Sequence, residues 1–402
     1  MNARTKIRTV IAMLVTTTLA APLCAESAAA SFQTGETVTF SVADPFARFV
    51  PAEDRRDHRI DYTHWDEALE WFVVPMGPSL RQTAGRVVPA TGTRFVYGHQ
   101  SRLRLEGNRV AFSFMDGRIL AALTEYRQDL ERVGSELDIS TLPRNEQLAF
   151  WINLHNVAVI EAVAHEYPMR QPAERSYGSN RATLQDAKLV TIDGVELSPR
   201  DIRERIVYPN GKDPRVIYGF WRGEIGGPTI QRTAFTGANV DFLLSLGAED
   251  FVNSLRGVES WGGALRVSMI YQEATPFFFK SDDALRLHLS RYARDDVRKL
   301  VEKDKRIAFA RYENDIADML YGNGDPGLTE VCAMGRGGDG IATDGSSPEG
   351  RCNAERVITD RAAQRLMHER SVKLHRAYRR GIRSGTVTVA GYDPDAPPRE
   401  VE

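Results

Sequence analysis

NEQLAFWINLHN, Asn145 to Asn156, is the stretch whose reading decides the fold. Apolar character continues around it to about Ala164, for about five helical turns. A helix that is apolar on every side is a buried helix, not a surface one. Asn153, His155 and Asn156 lie inside this run. Buried polar side chains must find partners within the protein, so the three residues mark either a polar core network or a functional site.

Outward from this helix, the chain alternates helical and short extended patterns. Asp116 to Val133 has helical spacing, with Asp116 as N-cap and Gly134 as stop signal. Leu189–Ile192, Asp193-Gly194 and Val195–Leu197 read as a hairpin around a type I′ turn. Ser198-Pro199 starts a further helix, with serine as cap and proline at the first position. Arg215–Trp221 (RVIYGFW) reads as an internal strand that empties into the glycine-rich loop Arg222–Pro228. Thr236–Leu255 reads as helix, Arg266–Tyr271 as strand, and Asp282 to about Tyr321 as helix with one or two breaks. Val357–Arg383 reads as a basic amphipathic helix. Before residue 116 the pattern is irregular, with candidate strands at Thr37–Val42, Arg94–Tyr97 and Val110–Phe114 and a short helix at Asp66–Phe72.

The fold class expected is α+β or mixed α/β, with internal strands packed on a central buried helix and additional C-terminal helices. The organisation expected is a signal peptide over 1–25, with cleavage at 30 as the alternative, then an N-terminal strand and loop region over 31–115 packed on the core. A core over 116–280 and a C-terminal helical extension with a Gly-rich loop over 281–402 complete it. Arg4, Lys6 and Arg8 followed by the apolar run Val10–Cys24 carry the signal-peptide reading, and with it a periplasmic or secreted location. No later run approaches the length of a membrane helix.

The 402 residues carry 52 Lys+Arg against 54 Asp+Glu, and loss of the basic leader makes the remainder more acidic. That balance argues against a nucleic-acid partner. Beyond the leader only Cys332 and Cys352 remain as thiols, and in an oxidising compartment they are expected to pair. Such a closed loop would contribute about 3 kcal/mol through the unfolded chain.

The strings LPRNEQLAFWINLHNVAVI, LVTIDGVELSPRDIRERIV, DPRVIYGFWRGEIGGPTI and AFTGANVDFLLSLGAEDFV resemble the family of unknown function DUF547, in order from about Asp116 to Phe279. The resemblance implies fold membership and no particular reaction. Family members commonly read like DPRIHFALVCAS-GCPPL at the third block. There this chain has Ile217 in place of the histidine, Arg222 in place of the first cysteine and Gly227 in place of the second. His155 stands where the family's helix motif has tyrosine. A mechanism built on those thiols is absent from this chain.

Five residues are candidates for a site. Asn153 and Asn156 share a helical face and either orient a ligand or satisfy buried backbone groups. His155 is a candidate general base or a hydrogen-bonded core residue. Arg222 and Glu224 either present a guanidinium and a carboxylate to a ligand or pair with each other to hold the loop. Gly226-Gly227 permits close approach of a ligand or a tight turn.

Other motifs are weak. Gly335–Gly340 formally fits G-x-G-x-x-G but sits in a polar loop, not between a strand and a helix. Asp339 and Asp344 lack EF-hand spacing. No cofactor and no metal site is expected. Three function classes follow: an exported ligand-binding or scaffold protein without thiol chemistry, a hydrolase or transferase with its pocket around the five residues, and an envelope interaction module. The last would use the basic C-terminal helix on an envelope protein or, peripherally, on a membrane surface. Whether the protein is an enzyme stays open at this level.

Overall fold

The computed structural model describes residues 44–52, 57–89, 91–92, 96, 98–303, 306–309, 312–332 and 354–382. The leader, the Thr37–Val42 strand, most of Arg94–Tyr97, the Gly335–Gly340 motif, Asp339, Asp344 and Cys352 lie outside the described residues, and with Cys352 the expected disulfide.

Helices α1 (Thr63–Phe72), α2 (Gly117–Glu136) and α3 (Arg144–Glu166) lead the chain into its core. α3 is the apolar run read from the sequence, and every residue from Ala149 to Glu161 is buried. Trp65, Phe72, Phe112, Trp221 and Phe251 belong to the same apolar cluster around it. The Asp116 side chain caps α2 through the amides of Arg118 and Ile119. Gly134 is no stop, because α2 runs on to Glu136. A Cβ at Gly134 would come within 2.7 Å of Ile192 and 2.8 Å of Phe150. The missing side chain lets α2 pack closely on α3 and on the next hairpin.

After the short strand β1 (Val73–Val74), that hairpin consists of β3 (Val190–Ile192) and β4 (Val195–Leu197), which run antiparallel. Its turn has positive φ at both Asp193 and Gly194, as a type I′ turn requires. β1 itself pairs with β2 (Arg109–Val110). Val110–Phe114 is therefore not one strand, since a 3-10 turn takes over at Phe112. Ser198 and Asp201 form a reciprocal capping box that starts a helical stretch, whose central turn Ile202–Val207 is a π-helix.

Of two expected strands, one is absent and the other ends early. Pro214–Tyr218 is a 3-10 helix, and no strand follows to Trp221. The apolar residues of RVIYGFW are buried because the segment is enclosed, not because it sits in a sheet. At Gly219 and Trp221 the Asn156 side chain takes the place of a ladder. RVSMIY divides at Ser268: strand β6 (Ala264–Val267) ends, and Ser268 caps the helix Met269–Phe278 by accepting from the Ile270 amide. Ser268 is an N-cap that the strand reading passed over.

α4 (Val240–Val252), α5 (Met269–Phe278), α6 (Asp282–Tyr292) and α7 (Asp295–Lys303) follow the core segment. β5 (Val258–Trp261) is antiparallel to β6, and β7 (Arg306–Phe309) adds parallel to β6. The Asp282–Tyr321 region is thus two helices, a strand and an irregular segment. β8 (Leu328–Cys332) pairs antiparallel with β9 (Ala354–Ile358), and α8 (Arg361–Arg379) follows the Asp360 cap. The fold is mixed α and β, with sheets of two or three strands among a larger share of helix.

The C-terminal helix turns several of its basic residues inward. Arg365 donates to the His99 carbonyl, Arg370 to that of Pro75, and Lys373 to those of Gly77 and Leu105. Glu369 receives Arg104 through two hydrogen bonds of 2.8 Å. Among the described residues no helix is long and apolar enough to cross a membrane.

Candidate functional site

The two asparagines of α3 act as backbone surrogates. Asn153 donates to the Phe235 carbonyl at 2.7 Å and accepts from the Phe235 amide at 3.1 Å. Asn156 donates to the Gly219 carbonyl at 2.9 Å and accepts from the Trp221 amide at 3.0 Å. Each amide side chain thereby closes the kind of paired contact that a neighbouring strand would supply. This is why Gly219 to Trp221 is enclosed without belonging to a sheet.

His155 is fully buried and engaged at both ring nitrogens. Nδ1 lies 3.0 Å from Asn156 Oδ1, an oxygen that is already an acceptor, so Nδ1 carries the proton and donates. Nε2 is then the acceptor for Arg203, whose Nη1 stands 3.0 Å away. Burial, with repulsion from the Arg203 charge, holds the imidazole well below its ordinary pKa of 6.5. A ring whose acceptor faces a guanidinium has no free lone pair for a substrate proton.

Arg203 leads to an ion-pair network behind a cleft. Glu273, on α5, accepts from Arg222 at 2.7 Å through each oxygen and from Arg203 Nε at 3.0 Å. Arg203 Nη1 also donates to Gln185 at 2.8 Å. Burial opposes ionisation of Glu273, but the two guanidinium groups outweigh it and hold its carboxyl well below the usual range. Arg222 therefore pairs with Glu273 and not, as one sequence reading had it, with Glu224.

The cleft in front has a volume of about 580 Å³. Arg222, Glu224 and Tyr312 line its inner side, Gln185, Arg200 and Glu204 another, and Met269, Pro276 and Phe277 supply an apolar wall. Glu224 is desolvated strongly enough to push its carboxyl up to about 8, in spite of the opposing charge of Arg222. At neutral pH it is a neutral acid and a hydrogen-bond donor. Arg222 Nε is buried without a hydrogen-bond partner among the described residues, and the buried Tyr312 hydroxyl faces the Glu224 carboxyl and favours its ionised form.

The loop between Arg222 and Pro228 is glycine-rich for reasons of packing. Ile225 and Gly226 donate their amides to the carbonyls of Asp315 and Glu313, at 2.8 and 2.9 Å. A Cβ at Gly226 would meet the Glu313 backbone at 2.7 Å, and one at Gly227 the Tyr312 hydroxyl at 2.6 Å. The close approach that these glycines permit is to the 312–315 segment.

Of the five sequence candidates, Arg222 and Glu224 line the cleft. His155 stands behind it through Arg203, Asn156 holds the backbone beside it, and Asn153 ties α3 to Phe235. Sequence reasoning missed Glu273, Arg203, Gln185 and Tyr312. Arg203 and Gln185 carried a signal, since Arg203 falls within one family-like string and Gln185 lies just before it. Glu273 is an isolated acid in the apolar stretch MIYQEATPFF, another legible sign of a buried charge.

A larger cavity, about 650 Å³, opens beside Arg127, Glu161, His165 and Lys188. Several of its charges are paired within the protein: Arg127 with Glu161 and Glu131, Lys188 with Asp201. Among the described residues no group of three or more His, Cys, Asp or Glu is placed to hold a metal ion.

The arrangement defines a mixed α and β protein whose cleft is backed by a buried carboxylate shared between two arginines. Residues 139–252 match the model of the family described as Protein of unknown function, DUF547. No curated protein and no solved structure matches the chain.

Proposed function

We propose that the protein binds a small molecule in the cleft between Arg222–Glu224, Tyr312 and the apolar face of α5. The observation that carries this reading is the combination of an apolar wall with the unspent donor Arg222 Nε, set beside the Tyr312 hydroxyl and the Glu224 carboxyl. Binding pockets commonly pair a mostly apolar lining with a few convergent polar groups. Neither Arg222 Nε nor the Tyr312 hydroxyl is open to solvent, so contact with a ligand requires a local side-chain movement.

Native mass spectrometry of the purified protein tests this. A retained small molecule is expected in the wild type and in His155→Gln, and its loss in the double variant Glu224→Gln/Tyr312→Phe. Retention unchanged in the double variant removes the cleft from the reading.

A hydrolase or transferase is a second reading, favoured by Glu224 alone. A carboxyl that stays protonated near neutrality inside a cleft is suited to general-acid work. His155 has no part in that version. The inward use of Arg365, Arg370 and Lys373 leaves the envelope-partner reading with less support. Export, and a Cys332–Cys352 disulfide formed after it, belong to the same proposal. The mass of the mature chain from the periplasm and a thiol titration under denaturing conditions test both.

A further inference from the structure

The ligand-binding reading is the foundation for a statement about what kind of ligand enters. Arg203 and Arg222 share the single carboxylate of Glu273, so the floor behind the cleft holds two guanidinium charges against one anion. Both arginines are buried. Toward the rim the balance reverses: Arg200 is held by both Asp186 and Glu204. The acceptors at the floor are already used, with both Glu273 oxygens and the Gln185 oxygen taken by arginine N–H groups. What is left unspent is a donor, Arg222 Nε. An acceptor group with one negative charge complements such a floor, whereas a polyanion would face Glu273, Glu204 and Asp186.

We infer that the ligand is a small organic monoanion, with its carboxylate between Arg222 and Glu224 and its apolar body along Met269, Pro276 and Phe277. Glu224 is the residue that makes this charge preference depend on pH. While its carboxyl is neutral, it donates to the ligand's oxygen; once ionised, it supplies the missing negative charge itself and repels the ligand. The groups that act on Glu224 are Arg222 on its own loop and Tyr312 and Glu313 on the facing segment. Tyr177 is also within its field, and Glu273, Arg200 and Glu204 share the cleft. Burial from all these sides keeps the neutral form favoured up to about pH 8.

Calorimetry with matched probes tests the inference: phenylacetate, hexanoate and octanoate, each against its primary amide. The acids are expected to bind at least about tenfold more tightly than their amides at neutral pH, as a charge-assisted hydrogen bond against a neutral one allows. Above about pH 8 the affinity of the acids is expected to fall by about tenfold per pH unit. In Glu224→Gln, verified as folded by its melting curve, the preference for the acid persists and the alkaline loss disappears. Equal or tighter binding of the amides overturns the charge assignment while leaving the cleft as a binding site. An alkaline loss that survives in Glu224→Gln overturns the role of Glu224. Binding of neither series overturns both this inference and the ligand-binding reading.

Discussion

Arg222 and Glu273 form a bidentate ion pair, with both guanidinium amino groups 2.7 Å from the two carboxylate oxygens. The pair joins the loop after Trp221 to the middle of α5, and Arg203 completes it from the other side. Everything proposed for the cleft depends on this contact holding the two walls in register.

Removing the shared anion strands two buried cations. Glu273→Ala is expected to lower unfolding stability by about 3–5 kcal/mol, the range for breaking a buried ion pair from one side. Arg200→Ala, which removes a half-exposed partner of Asp186 and Glu204, is expected to cost less than about 1 kcal/mol. Urea denaturation of the two variants measures the contrast, and equal losses would show that the triad has no special place in the fold.

Asn156 replaces strand pairing for Gly219 and Trp221. In Asn156→Ala a buried carbonyl and a buried amide lose their partner together, at about 1–3 kcal/mol for each unsatisfied group. His155 loses its orienting acceptor in the same variant. Hydrogen exchange should show the Trp221 amide among those most accelerated. Protection at Trp221 unchanged from wild type would mean that the loop is held by something else.

Stability should peak near pH 6.5. His99 is pushed down to about 3 and His288 to about 4, chiefly by burial, and His155 is also depressed. For a depressed histidine the unfolded state binds the proton more tightly, so its stabilising contribution is complete above 6.5 and is lost as pH falls below that value. Three carboxyls act with the opposite sign, Asp315, Asp318 and Glu224, each raised chiefly by burial. Burial raises Asp318 to about 6 and Glu224 to about 8. The folded state holds these protons more tightly, so stability is lost as pH rises through the raised value. Just below 6.5, above the raised value of Asp318, three histidines outweigh Glu224, and above 6.5 Glu224 acts without opposition from them. Each group contributes a limiting slope of about 1.4 kcal/mol per pH unit. Glu224→Gln should flatten the alkaline limb and steepen the acid limb above about pH 4.5, and His288→Gln should make the acid limb shallower, as measured by denaturant midpoints across pH.

Truncation after Asp360 should destabilise the protein and not merely release an appendage. Helix α8 buries Ala363 and Leu366 against Met76, Met319 and Leu320. Large apolar side chains of this kind contribute about 1.5–3 kcal/mol each when fully buried. Faster proteolysis of the truncated chain and a lower denaturation midpoint are expected. A midpoint within error of the full chain would make α8 dispensable to the fold and return weight to an interaction role.

The sequence by itself determined the elements whose physics is local. The all-round apolar run before Ala164 could be satisfied only by burial, and α3 is enclosed from Ala149 to Glu161. Asp116 and Ser198 cap helices through their own neighbouring amides, and Asp193-Gly194 turns a hairpin because two adjacent residues adopt positive φ. Tertiary structure alone decided the rest. RVIYGFW has the composition of an internal strand, but Asn156 supplies the backbone partners from another element, and no period within seven residues encodes that. Gly134 has the form of a helix stop, yet it is a contact surface, since what it avoids is Ile192 far along the chain. Arg222 stands beside Glu224 in sequence and pairs with Glu273 in space, where burial brings a better-placed carboxylate to it. A cap or a turn closes over a few bonds and is written in adjacent residues. The partner of a buried charge is set by which side chains share a dry interior, and only the folded chain determines that.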